Sequence, residues 1–293
     1  MSFAVKSFNI VKIILQKSVF DDNVIHTILK YYWELLDNKR KVLLDWIDIE
    51  WLSWDILSAN PNAIDLLENN QDKINYTNLS ANPNPNAINL LENNIELIDW
   101  SLLSRNPNAI KLLENNEDKI DWTFLSRNPN AINLLKNNQD KIDWDELSGN
   151  SNAIELLTNN QNKIDWYELS KNRNAIDLLL ENKNKIIWYW LSKNPNAIEL
   201  LKENQDKISW DNLCLNPNAI DLLENNQDKI DWTWISSNPN AIKLLQNNQN
   251  EINWDILSAN PNAIDLLENN QDKIDWTWIS RNPSIFEDEP IPL

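Results

Sequence analysis

A chain of 293 residues that is 42% hydrophobic and carries 16 Trp is too apolar to be a disordered tail. Its 26 basic against 44 acidic residues, net −18, disfavour direct binding to nucleic-acid phosphates and favour a protein partner with a basic surface. One Cys, one His and one Gly exclude an intramolecular disulfide, a Cys/His zinc site and a glycine-rich phosphate loop, so no metal and no cofactor is expected.

The chain opens on Met1–Phe20, with Lys6, Lys12 and Lys17, no acids, and clusters such as Ile13-Ile14-Leu15. This stretch lacks the uninterrupted apolar core and cleavage site of a secretory signal, and no run in the chain approaches a membrane span, which points to an intracellular protein. A helix is predicted over Asn23–Leu36, followed by a basic turn, Lys39-Arg40-Lys41. His26 has no metal-ligand companions and reads as an ordinary helix residue. Residues 1–50 share no sequence pattern with the rest of the chain. They are read as a divergent N-terminal helical cap, with a recruiting module as the alternative.

From Trp54 onward the sequence repeats. Trp stands at 54, 100, 122, 144, 166, 188, 210, 232, 254 and 276, with Tyr76 once in its place, and the step is 22 residues except from 76 to 100. Ten units start at Asn60, Asn82, Asn106, Asn128, Asn150, Asn172, Asn194, Asn216, Asn238 and Asn260. An eleventh begins at Asn282 and dissolves into an acidic tail, residues 284–293. A fixed period of this length predicts an all-α solenoid of stacked units over residues 51–283, each unit two short helices, with atypical terminal caps. Helices in contact lie about 8–10 Å apart, so ten units should extend as a rod or shallow superhelix of roughly 80–100 Å.

Within one unit, Asn128 is a candidate N-cap and Pro129 suits the first helical position. Ala131, Ile132, Leu134 and Leu135 converge on one face. Asn137-Asn138 should end the helix through a left-handed residue, replacing the usual Gly. Asp143 then caps a second, one-turn helix, with Glu146 completing a capping-box-like pair, and Trp144 and Leu147 point into the core. The exceptions rank these constraints. Ser151 and Arg173 replace Pro while Asn150 and Asn172 persist, so the Asn matters more. Ile187 replaces the Asp cap, and the extra Asn-Pro pair in Pro83-Asn84-Pro85-Asn86 predicts a local irregularity without a break. Part of the Asn excess is attributable to an A/T-rich codon bias.

Carboxylates recur with the repeat, as Asp65, Asp221 and Asp265 do, which reads as a solvated face and not as a catalytic pair. Cys214 stands where other units carry Ser and reads as a neutral replacement. No enzyme is expected. Recognition should lie where units differ, at the two positions after the Trp. The candidate protein-binding residues are Phe124, Tyr167, Tyr189, Trp190, Trp234 and Trp278, either as an exposed aromatic stripe or as extra core between units. A second variable, charged edge follows the repeat Ser and the repeat Ile: Arg105, Arg127, Lys171, Lys193 and Arg281, with Lys111 and Lys243.

The phrase Asn-Pro-Asn-Ala-Ile-x-Leu-Leu-x-x-Asn with Lys-Ile-Asp-Trp-x-x-Leu-Ser, over about 54–283, resembles repeat proteins encoded by giant, mimivirus-like DNA viruses of amoebae. That resemblance implies provenance and repeat architecture, with no catalytic residues to carry over; the function expected of the chain is a non-enzymatic scaffold binding a host or viral protein, in the host cytoplasm or virus factory. A structural component of the virion or factory is the alternative, and an acidic nucleic-acid mimic a weaker one.

Overall fold

The computed structural model describes residues 40–289, and from the preceding segment Val11, Lys12, Leu15, Val24, Ile25, Thr27, Ile28 and Leu29, all helical. Ile25 and Leu29, four residues apart on one helical face, are buried. The remainder of the expected 23–36 helix, His26 included, lies outside the described residues.

From Trp54 the fold is the all-α repeat. A representative unit has a Leu helix, Ile132–Asn137, a 3₁₀ turn, Gln139–Lys141, and a Trp helix, Trp144–Ser148. Helices of one turn are unstable in isolation, so tertiary packing must hold them. Ala131, Leu135 and Leu147 are fully buried, as are their equivalents from unit to unit, and they form one continuous core.

The repeated Asn is the axle of this packing. Asn150 Nδ2 donates to Ser126 O and Asn128 O of the preceding unit at 3.0 and 2.8 Å. The same pair of bonds recurs at Asn82, Asn106, Asn128, Asn172, Asn194, Asn216, Asn238, Asn260 and Asn282. All of these amides are buried, where an unmet donor would be costly. The residue two further on makes a second ladder, as Asn152 Nδ2 donates to Pro129 O. In that ladder Asn174 uses Ser151 O and Asn196 uses Arg173 O. Only the carbonyl of the Pro position is read, which is why Pro can be lost while both Asn stay. A third set is made by the repeat Ser: Ser126 Oγ donates to Trp122 O and accepts from Asp143 N of the next unit. Asn is therefore demanded by geometry, whatever codon bias adds.

These bonds do not stop at the ends of the chain. Asn60 Nδ2 donates to Ser280 O and Asn282 O at 3.0 and 3.1 Å, Asn62 Nδ2 donates to Pro283 O, and Ser53 N donates to Ser280 Oγ. Each is the bond that consecutive units make, in the same register. The expected rod is thus a closed ring, in which the first unit follows the last. The eleventh unit is composite. Asn282–Ile285 supplies its beginning, and the 3₁₀ turn Ile49–Trp51 with Ser53 supplies its end. A two-stranded antiparallel sheet, β1 (Lys41–Leu43) with β2 (Phe286–Asp288), stands where other units have the Leu helix. Residues 284–288 are therefore built into the seam. Leu44 N donates to Ile285 O, and the Lys41 ammonium pairs with Asp288 at 2.8 Å.

Local details also depart from expectation. The Leu helix starts at Ile132 behind Ala131, and Asn128 Oδ1 accepts from Asn130 N, making an Asx turn where an N-cap was expected. No described non-Gly residue has positive φ. Asn138 ends the helix instead by donating Nδ2 to Leu134 O, so an orphan carbonyl is met by a side chain. Asp143 Oδ1 accepts from Glu146 N, but Asp143 N is already taken by Ser126, so the reciprocal half of the capping box has no role. Ile187, as expected, gives no side-chain cap. The inserted Pro85-Asn86 only lengthens a turn: Asn84 still donates to Pro61 O, and the ladder is unbroken.

The ruler Trp is half-buried, where full burial was expected. One unit's Trp packs on the core while a Lys from the next unit's 3₁₀ turn covers it, as Lys141 does over Trp122 at 4.3 Å and Lys163 over Trp144 at 4.2 Å from the ring centroid. At the seam Trp51 takes the Lys place and meets Trp276 edge-on at 4.5 Å. Over Trp232 the equivalent position holds Glu251, which offers no cation to the ring. Glu251→Lys should therefore raise the stability by about 0.5–1 kcal/mol in urea unfolding; an unchanged midpoint would show that the cation–π contact contributes nothing.

Candidate functional site

Contacts between consecutive units run mainly from Trp helix to Trp helix. A closed stack is most tightly spaced on its inside, so the Trp helices form the inner layer of the ring and the Leu helices the outer one. The close spacing lets one side chain reach past its neighbour: Arg127 Nη1 pairs with Glu168, two units on, at 2.5 Å, and approaches Glu146 at 3.6 Å. The two variable positions of the Trp helix and the residue after the repeat Ser lie on this layer.

The ring sorts these residues into two arcs. In the first, the second position after Trp is acidic at Glu146 and Glu168, and the position after Ser is basic at Arg105, Arg127, Lys171 and Lys193. Glu168 is held by Arg127 and by Lys171 at 2.5 Å. Its burial pushes the pKa up, but hydrogen bonds from Lys171 and Arg127 outweigh that and hold it below the ordinary Glu value. Gly149 lies under this bridge. A Cβ there would overlap the Arg127 guanidinium, so the chain's one Gly clears the path from Arg127 to Glu168. A cavity of about 450 Å³ opens beside it, lined among others by Arg105, Arg127, Gly149, Ser151, Lys171 and Arg173.

The second arc is apolar. Trp234 and Trp278 are exposed and flank a cavity of about 260 Å³ whose wall includes Ile256, Ala259 and Arg281. Small residues after the repeat Ser, Ser237 and Ala259, leave this groove open between the two indoles. The Arg281 guanidinium lies 5.6 Å from the Trp278 ring centroid.

The six sequence candidates thus divide. Trp234 and Trp278 share one groove. Trp190 belongs elsewhere: it packs edge-on against Tyr167 at 4.8 Å and Tyr189 at 5.0 Å, with the Lys171 ammonium 4.1 Å from both the Tyr167 and Trp190 rings. Tyr167 and Tyr189 are exposed and Trp190 half-buried. The stripe recurring every second unit is therefore split into a pair and a cluster. Phe124 is half-buried in the charged arc, apart from the Trp234–Trp278 groove. Sequence reasoning missed Gly149, Ser151 and Arg173 as a group. The signal in the sequence was that three departures from the repeat fall in consecutive units.

Cys214 is fully buried in a Ser slot, and burial pushes its thiol up to about 11, so it stays protonated at neutral pH. The ladder passes it undisturbed, because Asn238 donates to its carbonyl. No group of three or more His, Cys, Asp or Glu side chains among the described residues is placed to hold a metal ion. No described helix is long and apolar enough to cross a membrane. Comparison with protein-family models, with curated proteins and with solved structures gave no match.

Proposed function

We propose that the ring is a non-enzymatic scaffold that binds a protein partner, host or viral, through the Trp234–Trp278 groove. The carrying observation is the groove itself: two exposed indoles around about 260 Å³ in a slot where other units carry Asn78, Glu146, Glu168 and Asn212 as well as apolar residues. Exposed Trp is expensive to leave in water and is enriched among the residues that dominate interfaces. A partner fits if it offers an apolar anchor for the groove and a basic rim for a chain of net charge −18. The alternative, a spacer in a particle or virus factory, loses the length that a rod would have offered, because a ring has a diameter and no free ends.

Affinity capture from infected cells, read by mass spectrometry, tests this. Trp234→Asn/Trp278→Asn is the matched variant, since Asn78 and Asn212 already occupy the same slot without disturbing the ladder. The wild type should retain a protein that the variant loses by tenfold or more. An identical captured set would reject the groove as the docking site.

A further inference from the structure

The charged arc has a cavity that plays no part in docking at the Trp234–Trp278 groove. Its walls hold both places where the Pro position lacks Pro, Ser151 and Arg173, together with Gly149, the single Gly. Arg105, Arg127 and Lys171 from the position after Ser complete it. The two Pro losses fall in consecutive units and face one space of about 450 Å³. Each change also acts in one direction. Gly149 frees the Arg127 guanidinium to lie across the inner layer. Pro to Arg adds a cation, and Pro to Ser adds a hydroxyl donor.

The charge of the lining is only partly compensated. Glu168 engages Arg127 and Lys171, and Glu146 stands 3.6 Å from Arg127. Arg105 and Arg173 have no ion-pair partner among the described residues, and the Ser151 hydroxyl has no hydrogen-bond partner among them. An Arg carries five N–H donors, so Arg127 keeps donors free after binding Glu168. The overall charge of −18 does not forbid an anion here. Exposed carboxylates beyond about 8 Å are screened at physiological ionic strength, while guanidiniums in direct contact are not.

We propose that this cavity is a binding site for a small polyanion of the oligophosphate class, held by Arg105, Arg173 and the free donors of Arg127, with Lys171 and Ser151 alongside. Guanidinium forks match phosphate oxygens two at a time, and a cavity of this size suits a small ligand better than a polymer backbone. The site lies on a different arc from the Trp234–Trp278 groove and stands or falls separately from it.

The test is calorimetric titration of the full chain with sodium tripolyphosphate, with citrate as a carboxylate of similar charge. Tripolyphosphate should bind at one site per chain, more tightly than citrate. Arg173→Pro and Arg105→Ala should each weaken it about ten- to hundredfold, the loss expected for a charge-assisted hydrogen bond. Both variants place at the site what other units already hold there, Pro129 and Pro195 or Ala59 and Ala81, so the fold is kept. Lys243→Asn removes one positive charge away from the cavity, into a slot where Asn89 and Asn133 stand, and should leave the affinity unchanged. Absence of binding, equal affinity for citrate, or equal losses in Arg173→Pro and Lys243→Asn would each overturn the proposal. Trp234→Asn/Trp278→Asn should bind tripolyphosphate as the wild type does, which separates failure of this site from failure of the docking groove.

Discussion

Asn60→Ala should destabilise the protein as much as Asn150→Ala, by about 2–4 kcal/mol in urea unfolding. Asn150 sits mid-chain, and its substitution removes two donors from buried carbonyls and one acceptor from Asn152 N. Asn60 is the first of its kind in the sequence. In an open solenoid its amide would have no preceding unit to hold, and the substitution would cost almost nothing. In the ring its partners are Ser280 and Asn282, with Asn62 N on its oxygen. Equal losses at the two positions are a signature of closure. A near-neutral Asn60→Ala beside a costly Asn150→Ala would mean the ends are apart in solution.

Leu147→Ala should cost more than Trp144→Ala, reversing the order that residue size suggests. Leu147 is fully buried between units, and truncation there leaves a cavity worth about 3–5 kcal/mol. Trp144 is only half-buried, with Lys163 over its outer face. Losing about half of a Trp's burial together with the cation–π contact costs about 2–3 kcal/mol. Thermal or urea unfolding of the two variants decides the order; a Trp144→Ala loss above that of Leu147→Ala would restore the Trp as the centre of the core.

Among the candidate residues, the sequence marked the variable positions but left both exposure and grouping open. Tyr167 and Tyr189 stand where other units carry Asp, Thr or Ser, Trp234 and Trp278 where some carry Asn or Glu, and all four are exposed. Which of them meet was hidden, because a period of 44 residues between Trp190, Trp234 and Trp278 says nothing about the residues between them. Tyr167 draws Trp190 away, whereas Ile256 and Ala259 leave Trp234 and Trp278 facing across open space. The charged cavity was harder still. Arg127 and Glu168 are 41 residues apart, and only the tight spacing of the inner layer brings them together.

The sequence by itself determined the unit: its period, its helices, its Leu and Ala core and the Asn that persists where Pro is lost. Those are local properties or nearest-neighbour properties, and each is repeated often enough to be unmistakable. Closure is of another kind. It depends on the small rotation between units summing to one full turn after eleven of them, and no single unit contains that sum. It depends also on a composite unit whose two halves, around Val42 and Glu287, bear no resemblance to the repeat or to each other. Backbone pairing makes that join, and backbone pairing leaves little trace in side-chain pattern. The tertiary structure alone therefore decided that the chain has no free ends to its core, and that an aromatic arc and a cationic arc share one ring.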